Sequence, residues 1–301
     1  MLNGIICINT PEGFTSFDVI AKMRGILKMK KLGHSGTLDP MATGVLPVFA
    51  GGATKAISII PETGKSYRAG FKFGIVTDTY DTTGKIIEET DFSVSTTDVE
   101  QALTAFRGEI TQLPPMYSAV QVDGKRLYDL ARKGIEVERP SRQVEVSRLE
   151  LIQYDEKTGM GILEISCSKG TYIRSIIHDM GQNLKCGAAM TSLERTSSNG
   201  FSVDECVTLE QLEKLRDEDR TEEIVKPVES LFKTLPSLYL SEKKTTMYKN
   251  GVKLMLDRLP VKPEQEKFRV YGADKCFIGI AQADRNENVL RVLKNLSGDG
   301  K

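Results

Sequence analysis

One segment of this chain combines glycines, prolines and a single carboxylate in a pattern that suits catalysis. Residues 33–47 read GHSGTLDPMATGVLP, and their three glycines and two prolines are typical of a shaped loop rather than of a repeating element. Because Pro40 disfavours the α conformation of the residue before it, we expect Asp39 in an extended turn. Its carboxylate could act there as a nucleophile or a base. It could also do no more than hydrogen-bond its own backbone in an Asx-turn.

A second segment, SCSKGTYIR, ends at Arg174 and combines basic and aromatic side chains. Lys169 and Arg174 flank Tyr172 at a predicted junction of strand and helix, and no acid lies between Glu164 and Asp179. Basic groups around an aromatic ring can hold a phosphate and stack a nucleic-acid base. A tyrosine of a strand is also commonly part of a core, so both interpretations stay open at this point.

Periodicity indicates the elements that would position these segments. Residues 15–29 carry apolar side chains at helical spacing, which predicts a helix with an apolar face that begins at Phe17. Residues 65–74 alternate, with Tyr67 on the apolar face of a half-buried strand. Further predicted elements are a helix from 97 to 106, a hairpin of strands 144–154 and 161–168, a strand that turns into a helix over 171–184, and a charged helix over 209–223.

The C-terminal part of the chain has a different character. Pro227 and Pro236 bracket a predicted linker, after which short β-rich stretches follow at 268–271, 276–281 and 289–293. The predicted fold class is therefore α+β, with domains at 1–232 and 233–301.

Composition excludes several classes of protein. The chain has 301 residues, of which 40% are hydrophobic and 27% charged, and no apolar run reaches the roughly 18 to 20 residues that span a bilayer. The N-terminus lacks the basic and apolar regions of a secretory signal. The five cysteines form no C-x-x-C pair and the two histidines are far apart, so a zinc site has no support. We expect a cytoplasmic protein with reduced cysteines and no metal.

A net charge of zero hides an uneven distribution. Residues 204–230 hold ten acidic and four basic side chains, whereas residues 231–301 hold fourteen basic and eight acidic ones. Residues 19–38 contain five basic side chains and no acid. Because screening limits charge effects to about 8 to 10 Å, a local basic surface can attract a polyanion despite zero net charge. A solvated helix face is the simpler alternative for residues 19–38.

Taken together, the two segments resemble the TruB family of pseudouridine synthases, which isomerise a uridine in the T-loop of tRNA. The loop resembles the catalytic motif of the family, and further matching blocks follow in family order over residues 3–232. These blocks are KSYR (65–68), TDTYDTTG (77–84), PPMYSA (114–119), GKRLY (124–128), KGTYIR (169–174) and LERT (193–196). The resemblance implies a mixed, largely antiparallel sheet with flanking helices. It also implies a small β-rich, PUA-like C-terminal domain that binds RNA.

The resemblance also implies roles for the residues around the reacting carbons. The aspartate of the family's G-T-L-D-P loop is catalytic and falls on Asp39 here. Arg174 matches an arginine that pairs with this aspartate and orients it. Tyr172 matches a tyrosine near the carboxylate, a candidate for proton transfer at C5 of the base.

Other matched residues would bind the RNA or support the loop. Tyr67 matches the aromatic partner of the flipped uridine, and Leu193 an apolar residue that closes the pocket. His34 matches a loop histidine that contacts displaced nucleotides. Asp81 matches a family acid and is expected to support the loop, whereas His178 has no counterpart and is expected to be structural.

The implied chemistry suits a carboxylate. Uridine must lose its N1–C1′ bond, rotate and rejoin the ribose through C5, and the base must first be flipped out of its stack. Both C1′ and C6 are electrophilic, so a nucleophile or a base is needed and no metal or cofactor is expected. Whether Asp39 attacks C1′, attacks C6 or first takes the ribose 2′ proton stays open.

Three functions compete on this sequence. The first is a tRNA isomerase that acts as a monomer on the T-loop and T-arm, with no membrane and no small-molecule cofactor. The second is a tRNA-binding folding chaperone, which would use the same basic and aromatic residues but would not need Asp39. The third, a small-molecule enzyme that uses Asp39 and His34 for acid and base chemistry, leaves the basic segments unexplained.

Overall fold

The computed structural model describes residues 2–118, 120–122 and 124–297 and has the predicted α+β architecture. Its strands are β1 (Gly4–Thr10), β2 (Leu32–His34), β3 (Ala42–Ala50), β4 (Lys65–Phe73), β5 (Ile75–Thr77), β6 (Ile86–Glu89), β7 (Gly108–Gln112), β8 (Gln121–Val122), β9 (Lys125–Arg126), β10 (Arg142–Asp155), β11 (Met160–Cys167), β12 (Ala188–Ser198), β13 (Phe201–Ser202), β14 (Ser237–Tyr239), β15 (Leu254–Met255), β16 (Lys267–Tyr271), β17 (Phe277–Asp284) and β18 (Val289–Asn295). Its α-helices are α1 (Ser16–Leu27), α2 (Thr96–Leu103), α3 (Leu127–Ala131), α4 (Ile173–Asn183), α5 (Leu209–Asp217) and α6 (Glu242–Lys249). Ala119, the last residue of the PPMYSA block, and residues 298–301 of the predicted C-terminal domain lie outside the described residues.

A large mixed sheet forms the centre of the molecule. Its strand order is β1-β3-β12-β4-β11-β10-β7, with β2 added to β3 and β13 added to β12. Strand β12 runs parallel to β3 and antiparallel to β4, and the other strand pairs of this sheet are antiparallel. The mixed, largely antiparallel sheet implied by the resemblance is therefore confirmed.

One face of this sheet carries the main hydrophobic core. Tyr67, Ala69, Phe71 and Phe73 of β4 point into it, so the face predicted from alternation is confirmed. Helices α1, α2, α4 and α5 cover this face with apolar side chains. The central strand β4 is thereby fixed on both sides by neighbouring strands and on one face by helices, which makes it a rigid support for Tyr67.

The C-terminal residues form a second sheet with the order β14-β16-β17-β18-β15. The predicted short strands near 268, 276 and 289 are confirmed as β16, β17 and β18. A second apolar cluster joins this sheet to the first, because Ile280 and Leu296 pack with Ile5 and Phe49. Alternate residues of β1 thus serve two cores, since its even-numbered isoleucines face the helices.

Several sequence predictions need correction. The N-cap of α2 is Ser95, two residues before the expected Thr97, because Ser95 and Asp98 form the capping box rather than Thr97 and Glu100. Strand β3 already begins at Ala42, so the shaped loop is only residues 35–41. Residues 171 and 172 are irregular rather than a strand before α4, and α5 ends at Asp217 rather than at residue 223.

The first helix also departs from its predicted pattern. The capping box of Thr15 and Asp18 is present, and Ile20 and Met23 are buried as the periodicity predicts. Phe17, in contrast, is 75% exposed. Its ring lies edge-on to His34 at 5.7 Å between centroids, beside the loop rather than in the core.

Candidate active site

The loop of residues 35–41 connects β2 to β3 and is held by hydrogen bonds along its length. The backbone N–H of Leu38 donates to Ser16 Oγ at 2.9 Å, and that hydroxyl belongs to the first residue of α1. The N–H of Ala42 donates to the backbone oxygen of Asp39 at 2.9 Å. These bonds fix the backbone on both sides of Asp39 and leave its carboxylate free to point elsewhere.

Arg174 forms an ion pair with that carboxylate. Its Nη2 lies 2.9 Å from Asp39 Oδ2 and its Nη1 lies 3.5 Å from Asp81 Oδ2. The same guanidinium donates to the backbone oxygens of Thr79 and Tyr117 at 2.9 and 3.0 Å. Its side chain is 6% exposed, whereas that of Asp39 is 41% exposed. The ion pair expected from the resemblance is present, and it presents a fixed but accessible carboxylate.

Asp81 is buried beneath this ion pair. Its Oδ1 accepts hydrogen bonds from Thr79 Oγ1 at 2.8 Å, from the backbone N–H of Thr83 at 3.0 Å and from Thr83 Oγ1 at 2.5 Å. Its other oxygen faces Arg174. Asp81 therefore holds both its own turn and the guanidinium that orients Asp39.

A second buried arginine, which the sequence reasoning missed, shapes the other side of the loop. Arg195 donates from Nε to the oxygen of Val45 at 2.8 Å, and from its Nη atoms to the oxygens of Gly36 and Thr37 at 3.1 and 3.4 Å. It also hydrogen-bonds Tyr67, which stands opposite it in the β12–β4 register. The LERT block contains Arg195, but nothing in its type or position predicts a fully buried side chain.

Glycine is required where β3 passes this arginine. Gly44 has φ +96°, and a Cβ there would lie 2.3 Å from the backbone oxygen of Arg195. Any larger residue would separate β3 from β12 at the base of the loop. The third glycine of the motif thus keeps Arg195 within reach of the loop carbonyls.

Tyr67 and Leu193 line the core side of this arrangement. Both are buried on the same face of the sheet, because Tyr67 pairs with Arg195 and Leu193 pairs with Ala69. Burial raises the pKa of Tyr67 to about 12, and the nearby charge of Asp39 acts in the same direction. The tyrosine is therefore a neutral phenol close to the carboxylate. A neutral aromatic ring is suited to stack on an uncharged nucleic-acid base.

Tyr172 occupies the N-cap position of α4, two residues before Arg174. The side chain of Gln112 clamps its backbone, since Gln112 Oε1 accepts from the Tyr172 N–H at 2.7 Å and Gln112 Nε2 donates to its oxygen at 2.9 Å. The guanidinium carbon of Arg142 lies 5.5 Å from the ring centroid. Sequence reasoning identified neither Gln112 nor Arg142, because both belong to strands distant in the chain.

His34 lies at the opposite end of the loop from Asp39, at the end of β2. Burial, followed by the positive charge of Arg195, lowers its pKa, so the imidazole is neutral. Its Nδ1 is buried and has no hydrogen-bond partner among the described residues. The second histidine, His178, stacks on Tyr80 at 3.8 Å between ring centroids, which agrees with the structural role expected for it.

No cluster of three or more His, Cys, Asp or Glu side chains that could hold a metal occurs within residues 2–118, 120–122 and 124–297. None of the helices in this part of the chain is long and apolar enough to cross a membrane.

Comparison with known proteins places this geometry in a family. The model described as TruB family pseudouridylate synthase (N terminal domain) matches residues 24–173, and the one described as tRNA pseudouridylate synthase B C-terminal domain matches residues 174–233. A tRNA pseudouridine synthase B of Clostridium tetani is 43% identical over 285 residues, covering 93% of this chain and 96% of that protein. The protein of the same name from Clostridium acetobutylicum is 40% identical over 297 residues, and the match covers 98% of this chain and 100% of that protein.

Solved structures share the whole architecture. A chain in the crystal structure of a Cbf5-Nop10-Gar1 complex superimposes with a TM-score of 0.75 at 25% identity, covering 98% of this chain and 85% of that one. A chain in a structure of an H/ACA RNP bound to a substrate RNA containing 2′-deoxyuridine gives 0.72 at 23% identity, covering 97% and 84%. The second likeness concerns the fold alone.

Proposed function

Because this chain belongs to the TruB family of pseudouridine synthases, we propose that it isomerises the uridine at position 55, in the T-loop of tRNA, with Asp39 as its catalytic residue. It is an enzyme of the tRNA pseudouridine synthase type. The observation that carries the catalytic assignment is the Asp39 carboxylate, which is open to a substrate and yet fixed 2.9 Å from a buried guanidinium. A carboxylate so placed needs little reorganisation when it meets a reacting carbon or proton.

The Arg174 ion pair supports each of the possible first steps. Attack on C1′ or on C6 needs a carboxylate oxygen with a defined direction, and removal of the ribose 2′ proton needs the same group as a base. One oxygen of Asp39 is taken by Arg174, and the other stays available to the substrate. Loss of the N1–C1′ bond, rotation of the base and bonding through C5 then follow in the same site.

Tyr67 and Leu193 are proposed as the walls that receive the flipped uracil. Both belong to strands at the centre of the sheet, so their positions do not depend on the RNA. An aromatic wall replaces part of the stacking that the base loses in the RNA loop, a cost of a few kcal/mol. His34, beside the exposed ring of Phe17, is proposed to contact the nucleotides displaced together with the target.

Tyr172 is proposed to take part in proton transfer at C5 after the base has rotated. Its position two residues before Arg174 and the clamp from Gln112 keep its backbone in one place relative to the ion pair. A phenol near the reacting base can take and return a proton, a contribution of about a hundredfold or more in rate.

We further propose a division of labour in which residues 1–232 catalyse and residues 233–301 add RNA affinity. The excess of six positive charges in residues 231–301 supports a contribution of the C-terminal part to RNA affinity, and the exposed basic side chains of α1 and its following turn support RNA contacts of the catalytic part as well. The enzyme is proposed to act in the cytoplasm as a monomer and without a cofactor.

The test is direct detection of the product. An unmodified T-arm minihelix is incubated with the protein, treated with carbodiimide and read by primer extension, with a minihelix that carries cytidine at the target position as the control. The proposal expects one block at the target uridine and none in the control RNA. Accelerated folding of the RNA without a block would instead support the chaperone interpretation.

A further inference from the structure

A pocket of about 340 Å³ opens beside residues 34–36, and Asp39 is not among the residues that line it. Lys65 and Lys169 contribute two positive charges to its wall, and Glu62 is its one acidic lining residue. Neither lysine makes an ion pair with a carboxylate in the part of the chain that the structure describes. The wall of the pocket therefore has a net positive charge, and neither of its two lysines is ion-paired among the described residues.

Lys65 packs against Gly36 of the loop. Its Nζ lies 2.9 Å from where a Cβ would sit on Gly36, whose φ of +78° already favours glycine. Burial, with further contributions from the charges of Arg195 and Lys169, lowers the pKa of Lys65 to about 8. An ammonium in such surroundings is costly to keep charged until an anion arrives.

The pocket also offers neutral hydrogen-bond donors. Asn199 lines it and accepts from Ser35 Oγ through Oδ1 at 2.7 Å, which leaves its amide N–H groups available for a ligand. Two ammonium groups and an amide around a small volume match the charge and the acceptor atoms of a phosphate.

We propose that this pocket binds one phosphate of the RNA backbone through Lys65 and Lys169. The inference rests on the proposed function, because an RNA whose uridine reaches Asp39 must run past residues 34–36 of the same loop. It adds to that function an anchor that fixes the strand next to the flipped nucleotide. Phosphate contacts set the register of a nucleic acid without reading its sequence, which suits a site beside the reacting base.

The first experiment compares Lys65→Met with Lys72→Met. Lys72 lies on the same strand β4 but on the opposite face, so it is a matched control. Binding of the T-arm minihelix is measured between 50 and 200 mM salt, values chosen to expose the electrostatic part of the affinity. Lys65→Met should weaken binding about tenfold and lower the slope of log K against log[salt] by about 0.7 to 0.9, the value for one phosphate, whereas Lys72→Met should change neither.

The second experiment needs no substitution. The Nζ and Cε resonances of Lys65 are followed by NMR against pH in the free protein, with inorganic phosphate and with the minihelix. The pKa should rise from about 8 on addition of RNA, because the phosphate stabilises the ammonium. A rise with inorganic phosphate alone would show a phosphate site that is open without RNA, and a rise only with the minihelix would show one completed by the strand.

The two proposals fail in different ways. If the wild-type protein gives no carbodiimide block on the minihelix, the proposed function is wrong. If the wild type gives the block while Lys65→Met keeps the wild-type salt slope and the Lys65 pKa does not move with RNA, the phosphate site alone is wrong.

Discussion

Two buried arginines stand on the two sides of the loop, and their surroundings differ in kind. Arg174 meets two carboxylates, those of Asp39 and Asp81, together with two backbone oxygens. Arg195 meets three backbone oxygens of the loop and its following strand, and the phenol of Tyr67, with no carboxylate. The first arginine orients a side chain, and the second shapes a backbone.

The difference explains how one short loop can present the Asp39 carboxylate on the Arg174 side and lie beside uncompensated positive charge on the Arg195 side. The charge of Arg174 is compensated, so it acts on its immediate neighbours. Burial lowers the pKa of Arg195, of His34 and of Lys65, and the charge of Arg195, which no carboxylate of the described residues compensates, lowers the pKa of the last two in the same direction. A buried guanidinium without a carboxylate can thus prepare a site for a substrate anion while it fixes the loop.

The largest effect is expected from Asp39→Asn on the Arg174 side. The amide can still accept from Arg174, so the geometry persists while the carboxylate is lost. Isomerisation should be abolished, whereas RNA binding should stay within about tenfold, or roughly 1.4 kcal/mol. Unfolding stability should change by about 1 kcal/mol or less, because Asp39 is 41% exposed. Single-turnover product formation near the wild-type rate would remove Asp39 from the chemistry.

Removal of either guanidinium should test the comparison itself. Arg174→Met leaves the buried Asp81 without its counter-charge and should cost about 3 to 5 kcal/mol of stability. Arg195→Met leaves backbone oxygens rather than a carboxylate without their donor, so it should cost less, about 1 to 3 kcal/mol. Urea unfolding measures the two variants, and equal losses of stability would contradict the distinction.

A smaller effect is expected from Tyr172→Phe. The ring, its contact with Arg142 and the backbone clamp from Gln112 all persist, so RNA affinity should stay close to that of the wild type. Loss of the hydroxyl should slow single-turnover product formation by about a hundredfold or more. An unchanged rate would mean that the hydroxyl handles no proton and that the ring is only structural.

The smallest effect is expected from Tyr67→Phe on the Arg195 side. The aromatic face persists and the hydrogen bond to Arg195 is lost, which should cost about 1 to 2 kcal/mol of stability with little change in RNA affinity. Tyr67→Leu should weaken binding further, by about 1 to 3 kcal/mol, because it also removes the stacking surface. Since the folded pKa is about 12 against an ordinary 10.0, this residue stabilises the protein below pH 10 and the contribution is lost as the pH rises to 12. Denaturation at pH 9 and 11 should show that loss in the wild type and not in the Phe variant.

Periodicity predicted the parts of this fold in which one residue type repeats on one face. The face of β4 that carries Tyr67 followed from simple alternation, and the hairpin of β10 and β11 followed from two β-rich stretches around a short turn sequence. The pairing of Asp39 with Arg174 came only with the family resemblance, because residues so distant in the chain share no local pattern. Sequence spacing alone cannot predict that β3, β12 and α4 meet at the same site.

Arg195 and Phe17 show why the remainder escaped prediction. Arginine is rarely fully buried, and the two register shifts in β12 leave only a short regular run around Leu193 and Arg195, too short to assign an arginine to the core face. Phe17 has helical spacing with the buried residues of α1, but the loop passes the helix at its first turn and leaves the ring exposed beside His34. In both cases a tertiary contact with the loop decided the outcome.

The apolar cluster shared by the two sheets fixes the position of the C-terminal sheet relative to the loop that carries Asp39. Ile280 and Leu296 of the C-terminal part are packed against Ile5 and Phe49, and Phe49 belongs to the strand that leaves the loop. The shared packing therefore ties the position of the C-terminal sheet to that of β3, and truncation at residue 232 would remove Ile280 and Leu296 from this core. An RNA that bound both parts would therefore have to present its two contact points at one fixed separation, so its shape would count in binding alongside its sequence.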